Sequence, residues 1–226
     1  MEGGSERVNI KAVLFDLDGT LIDSRASIIK SVLATTEKFA PGRFTYEGLA
    51  AQFGTAYVKI LETLDEARTK EIINHYAIGQ ARSYAAEAEL FPGVLEGLEQ
   101  LNKQGFTLGI VTNQNRLLTE EILRLHNIHH YFECIISCDD VLEGKPSPEP
   151  ITKAVTRLGL NENECLMVGD SHFDIMAAIN AGVHSALIES YGKKQNKDCI
   201  PSYTFSSLAG FFDYSLKTFE KERLVR

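Results

Sequence analysis

The chain alternates between short unbroken apolar runs and longer stretches in which apolar residues recur every three or four positions. Unbroken runs predict strands buried on both faces, as in parallel sheets covered by helices. Five stand out: AVLFD from Ala12, FTLGIVT (106–112), ECIISC (133–138), CLMVGD (165–170) and SALIES (185–190). Helical patterns lie between them. VLEGLEQLNKQG sets Val94, Leu98 and Leu101 on one face and stops at Gly105, a residue suited to close a helix. RLLTEEILRLHNI repeats at helical spacing. SPEPITKAVTRLG opens with Ser and Pro and ends at Gly159, and FDIMAAINAG ends at Gly182. Strand and helix in alternation predict an α/β doubly wound parallel sheet.

Residues 25–88 depart from this rhythm. They carry helical pattern throughout and no convincing strand: ASIIKSVLATTEKFA up to Pro41-Gly42, TYEGLAAQFGTAYVKIL interrupted at Gly54, and a long amphipathic stretch with Ile72, Ile73, Tyr76 and Ala77 together. LFPG (90–93) then returns the chain to alternation. The predicted organisation is an α/β core from residues 1–24 and 89–226, with an all-helical cap, 25–88, inserted after the first strand. FFDYSLKTFEKERL, from Phe211, predicts one more helix docked on the core.

Composition narrows the function. Of 226 residues, 44% are hydrophobic and 24% charged, an ordinary globular balance. A net charge of -8 with no basic run argues against a general nucleic-acid binder. No apolar stretch approaches bilayer-spanning length, and the polar start MEGGSERVN lacks the apolar core of a signal peptide, so a cytoplasmic protein is expected. Cys134, Cys138, Cys165 and Cys199 have no C-x-x-C spacing and read as reduced, mostly buried thiols. His126, His129 and His130 read as a polar helix end and turn, since no acid or cysteine stands at ligand spacing.

The acids are the informative feature. In an open parallel sheet, ligands bind outside the carboxyl ends of the strands. The first apolar run ends in Asp16, followed by Asp18; the second ends in Thr112 and Asn113. Lys145 lies in GKPSPEP after the third, and the fourth ends in GDSHFD with Asp170 and Asp174. Burying carboxylates without a partner is costly. A hard cation such as Mg²⁺ resolves the repulsion with oxygen ligands, and the lysine, hydroxyl and amide suit a phosphoryl group.

These residues, DLDGTLIDS, VTN, Lys145 in GKPSPEP and GDSHFD, resemble in order and spacing the four signatures of the haloacid dehalogenase superfamily. The helical insert is similar to the cap of its phosphoglycolate phosphatase-like branch. The resemblance implies a hydrolase acting on phosphoric esters, with Asp16 as nucleophile forming an aspartyl-phosphate and Asp18 as general acid and base. It implies phosphate contacts from Leu17, Gly19 and neighbouring backbone N–H groups, and from Thr112, Asn113 and Lys145. Mg²⁺ would be held by Asp16, the Asp18 carbonyl and Asp170, with Asp174 in support. The implied substrate is a small phosphorylated metabolite or pyrophosphate.

Within the superfamily, Asp18 favours phosphorus over carbon chemistry, and Thr20 is more frequent in phosphatases than in mutases. Lys59 and Lys70 suit solvated helix faces better than a Schiff base. In the cap, QFGTAY reads as a loop closing over the site, so Gln52, Thr55 and Tyr57 are candidate specificity contacts. Arg43 and Arg116 could meet a substrate carboxylate or second phosphate. Hinges are expected near residues 24–25 and 90–93. The alternatives are a phosphomutase like β-phosphoglucomutase, or a non-catalytic binding protein on the same fold. A monomer or homodimer fits either case.

Overall fold

The computed structural model describes residues 9–53, 57–191 and 199–219. Its centre is a six-stranded sheet built from β1 (Ala12–Phe15), β4 (Thr107–Val111), β5 (Cys134–Ile136), β6 (Cys165–Gly169), β7 (His184–Ile188) and β8 (Tyr203–Phe205). The strands run in the order β5-β4-β1-β6-β7-β8, every pair parallel. The first five are the apolar runs of the sequence, four of them trimmed by one or two residues at their ends and β7 shifted, starting one residue before its run and ending two before its close. β8 was not anticipated: it is a half-exposed edge strand of three residues, too short and too polar for an apolar run.

β1 shows why an unbroken apolar run is needed at the centre. Its side chains alternate between two packed layers. Val13 and Phe15 face one layer with Leu98, Leu101, Ile122, Phe211 and Phe212. Ala12 and Leu14 face the other, with Ile151, Ala154, Met167 and Ala177. The first layer is covered by α5 (Val94–Lys103), α6 (Arg116–Leu125) and α9 (Leu208–Thr218). The second is covered by α7 (Glu149–Leu158) and α8 (His172–Ala181). Gly159 and Gly182 close α7 and α8 in the left-handed conformation, at φ 66° and 72°.

The helix expected from Phe211 starts three residues earlier, at Leu208, and ends at Thr218; residues 220–224 of that stretch lie outside the described residues. It is docked by aromatic contacts, with Phe211 edge-on to Phe15 at 6.0 Å. Gly97 of α5 sets how closely the two helices approach. A Cβ there would lie 2.2 Å from the buried Phe212 ring. Gly97→Ala should therefore lower stability by about 1–3 kcal/mol through overpacking, although alanine favours helix by about 1 kcal/mol. Urea unfolding would show a lower midpoint at unchanged slope.

Between β1 and α5 the chain forms α1 (Arg25–Phe39), α2 (Tyr46–Ala50), α3 (Tyr57–Glu62) and α4 (Thr69–Glu87). The residues that lead in and out, β2 (Ile22–Asp23) and β3 (Glu89–Leu90), pair antiparallel as a small ribbon. Two-residue strands have no periodicity to read, so this ribbon was not legible. The buried stripe of α4 also differs from expectation. It runs Ile72, Tyr76, Gln80, Tyr84 at four-residue spacing, while Ala77 is exposed. Gly54 lies outside the described residues.

Cys134, Cys165 and Cys199 are buried thiols, but Cys138 is exposed, because β5 ends at Ile136 and the chain turns outward. His126 bonds the Ala88 carbonyl through Nε2 at 2.9 Å, and His129 and His130 lie in a 3₁₀ turn. Among the described residues, no helix is long and apolar enough to cross a membrane.

Candidate active site

Parallel pairing of β1 with β4 and β6 brings three strand ends to one rim. Asp16 follows β1, Thr112 follows β4 and Asp170 follows β6. The three are nearly fully buried, as are Lys145 and Asp174.

Lys145 organises this rim. Its ammonium donates to Asp16 Oδ1 at 2.7 Å, Asp174 Oδ1 at 2.5 Å and the Val111 carbonyl at 2.8 Å. Its backbone is clamped in turn by Asn113. The Lys145 N–H donates to Asn113 Oδ1 at 2.8 Å, and Asn113 Nδ2 donates to the Lys145 carbonyl at 3.0 Å. The Asn113 side chain, expected on the phosphoryl group, is thus committed to placing the lysine loop. Thr112 is buried, its hydroxyl accepting from the Gln114 N–H at 3.1 Å and keeping its own proton to donate.

Asp174 does two jobs. Its Oδ2 accepts from the Ser171 N–H and hydroxyl, closing a capping box at the start of α8. Its Oδ1 holds Lys145. Gly169 makes this possible: a Cβ there would lie 2.3 Å from the Asp174 carboxyl carbon.

Three buried carboxylates, Asp16, Asp170 and Asp174, place ligand oxygens within 4.8 Å of one another. Against them in this cluster stands one ammonium, Lys145. Burial pushes the Asp16 carboxyl up to about 7, and Asp174 and Asp18 add to this while Lys145 opposes it. Burial pulls the Lys145 ammonium down, but Asp16 and Asp174 outweigh it and hold the ammonium above its ordinary value. A cluster of hard oxygens with excess negative charge fits a hard divalent cation. Because both Asp174 oxygens already have partners, Asp16 and Asp170 are the better placed ligands.

The turn after β1 corrects one expectation. Gly19 adopts φ +88°, and its N–H donates to the Ile22 carbonyl at 2.8 Å, closing the turn instead of facing a phosphoryl group. The glycine is needed there for another reason: a Cβ would sit 2.6 Å from Asp170 Oδ2. Leu17 buries its side chain fully, and its carbonyl accepts from the Leu21 and Ile22 N–H groups at 3.0 Å. Thr20 donates to Asp170 Oδ1 at 3.5 Å.

Asp18 stands apart from the lysine cluster and has its own donors. Oδ1 accepts from the Ser24 hydroxyl at 2.6 Å and from the Tyr84 phenol, and Oδ2 from Gln114 Nε2 at 3.3 Å. Ser24 occupies the N-cap position of α1, yet caps no N–H; its hydroxyl donates to Asp18. Burial raises the Asp18 carboxyl above its ordinary value, and the three hydrogen bonds oppose that rise. Tyr84 and Gln114 escaped the sequence reading, and Ser24 entered it only as a signature and hinge position. Only the Ser24 position had a signal, as an apparent N-cap.

The expected specificity residues fare differently. Tyr57 is buried and its hydroxyl donates to the Leu49 carbonyl at 2.7 Å, so it holds α2 to α3 instead of meeting a substrate. Arg116 is also committed, donating to Asp140 at 2.5 Å, Glu120 at 3.3 Å and the Ile135 carbonyl at 3.0 Å. Arg43 is exposed over the Phe44 ring, and Gln52 is exposed with Nε2 on the Gly48 carbonyl. Thr55 lies outside the described residues. Lys59 and Lys70 are exposed. Arg25, read from the sequence only as a hinge position, joins the helical segment to the core: its guanidinium lies over Phe53 and Tyr191 and donates to the Ala50 carbonyl.

Comparison with known proteins agrees with this arrangement. The model of the haloacid dehalogenase-like hydrolases matches residues 13–188. Pyrophosphatase PpaX of Anoxybacillus flavithermus is 38% identical over 179 residues, spanning 79% of this chain and 83% of that protein. Its namesake from Halalkalibacterium halodurans is 34% identical over 208 residues, 91% and 97% of the two chains. The crystal structure of a haloacid dehalogenase-like hydrolase from Bacteroides fragilis superposes with a TM-score of 0.83 at 27% identity, covering 90% of this chain and 100% of that one. With acids, hydroxyl and lysine on one rim of a parallel sheet and a family match over residues 13–188, the chain belongs to the haloacid dehalogenase-like hydrolases.

Proposed function

We propose that the chain is a Mg²⁺-dependent phosphatase that hydrolyses pyrophosphate or a small phosphomonoester through an aspartyl-phosphate on Asp16. The observation that carries this reading is the division of labour between two acids two residues apart. Asp16 is bound by Lys145, and Asp18 is held separately by neutral donors.

The Asp16 carboxylate attacks phosphorus, and the bond from phosphorus to the leaving oxygen breaks as that oxygen takes the Asp18 proton. Water then attacks the aspartyl-phosphate and gives its proton back to Asp18. Inorganic phosphate leaves, and the Asp16 carboxylate is restored. Burial, which raises the Asp18 carboxyl, suits it to carry the first proton. Lys145 offsets charge on Asp16 and the phosphoryl oxygens, and Thr112 offers them a hydroxyl. Asp16, Asp170 and the Asp18 carbonyl would hold Mg²⁺, which supplies further positive charge to those oxygens.

Helices α1 to α4 serve in this reading as a cap, with the β2–β3 ribbon as its hinge. Gln80 lies on the same buried stripe of α4 as Tyr84, at 3% exposure, and in this reading its amide faces the leaving group. Pyrophosphate is favoured among substrates by the names of the two PpaX relatives.

Phosphate release should be measured from pyrophosphate and a panel of small phosphomonoesters, with Mg²⁺ and with EDTA. Metal-dependent release, strongest for one compound, is expected. A phosphorylated isomer in place of free phosphate would indicate a mutase, and no turnover of any compound would indicate a binding protein.

A further inference from the structure

We propose that Tyr84 is a positioning residue that fixes the Asp18 carboxylate from α4. This deepens the phosphatase reading and rests on it. The Asp18 carboxylate is gripped from three elements. Ser24 lies just before α1, six residues after Asp18, and Gln114 lies three residues after the end of β4. Tyr84 comes from a helix 66 residues downstream, and its phenol shares Oδ1 with Ser24 while Gln114 takes Oδ2. With donors on both oxygens, the carboxylate cannot rotate without losing a hydrogen bond.

Tyr84 is 2% exposed, its phenol donates to Asp18, and the Ser24 hydroxyl is its other hydrogen-bonding neighbour. It therefore gives its one proton to Asp18 when α4 is packed on the rim. The consequence is a coupling. Asp18 is aimed at the leaving oxygen when the helical segment is seated, and loses a donor when it is not. Catalytic aim and enclosure of the substrate then depend on the same contact.

The Tyr84→Phe variant keeps the ring and removes only the hydroxyl. The measurement is kcat/KM for a good leaving group, p-nitrophenyl phosphate, and a poor one, an alkyl phosphate. This parameter reports the first chemical step, in which only the poor leaving group needs the Asp18 proton. General acids contribute on the order of 10²–10⁴-fold, so a misaligned one should cost the alkyl ester about 10-fold. The aryl ester should lose less than about 2-fold. Because the ratio of the two values comes from one sample, the fraction folded cancels. Adding Tyr84→Phe to Asp18→Asn should cost the alkyl ester nothing further. Equal losses on both esters, or additive losses in the double variant, would overturn the inference while leaving the phosphatase reading intact. A wild-type protein that cleaves neither ester nor pyrophosphate would overturn both.

Discussion

Asp16→Asn is expected to abolish phosphate release, by more than about 10⁴-fold, while leaving the metal-free protein at least as stable as the wild type. The loss follows because the amide cannot form the aspartyl-phosphate. The stability follows from burial. The Asp16 carboxyl rises from an ordinary 3.8 to about 7, so the folded protein binds this proton more tightly than the unfolded chain does. Stability from this group is therefore present at low pH and lost as pH rises through that range. Asparagine carries no such proton and still offers Lys145 an oxygen. Melting temperatures in EDTA near pH 8 should be equal to or higher than those of the wild type. Mg²⁺ should raise the wild-type value more than that of the variant. Phosphate release surviving in the variant would exclude Asp16 as nucleophile.

Lys145→Met should lose both activity and stability. Methionine is close in volume but cannot donate, and it leaves Asp16 and Asp174 buried without their ammonium. Breaking a buried ion pair from one side costs about 3–5 kcal/mol. Loss of a positive charge at the phosphoryl oxygens should lower kcat/KM by about 10²–10³-fold. Chemical denaturation with and without Mg²⁺ separates the two effects, since added cation should restore part of the stability. The two variants thus move stability in opposite directions although their side chains touch at 2.7 Å. A Lys145→Met protein as stable as the wild type in EDTA would mean that the three carboxylates do not repel one another as described.

Sequence alone reached the sheet and the acids at its rim, because both are written in local pattern. A strand buried on both faces must be apolar along its length, so Asp16 and Asp170 at the ends of β1 and β6 stand out against their own runs. Parallel strands carry their carboxyl ends to one edge, and that rule suffices to gather Thr112 and Lys145 with them. What each side chain does there depends on neighbours distant in sequence. Asn113 was legible as an amide at a strand end, but not as the clamp on the Lys145 backbone. Asp174 was legible as an acid near a helix start, but not as cap and lysine partner together. Tyr57 looked available because its partner, the Leu49 carbonyl, lies on another helix; Arg116 has a local partner in Glu120, but its contacts with Asp140 and the Ile135 carbonyl come only with folding. Neither Tyr84 nor Gln80 stood out within the long helical pattern, since periodicity marks which face is buried and not what it is buried against. Pattern records the burial of each segment, whereas the partners of a polar group are fixed when segments far apart in the chain are packed together.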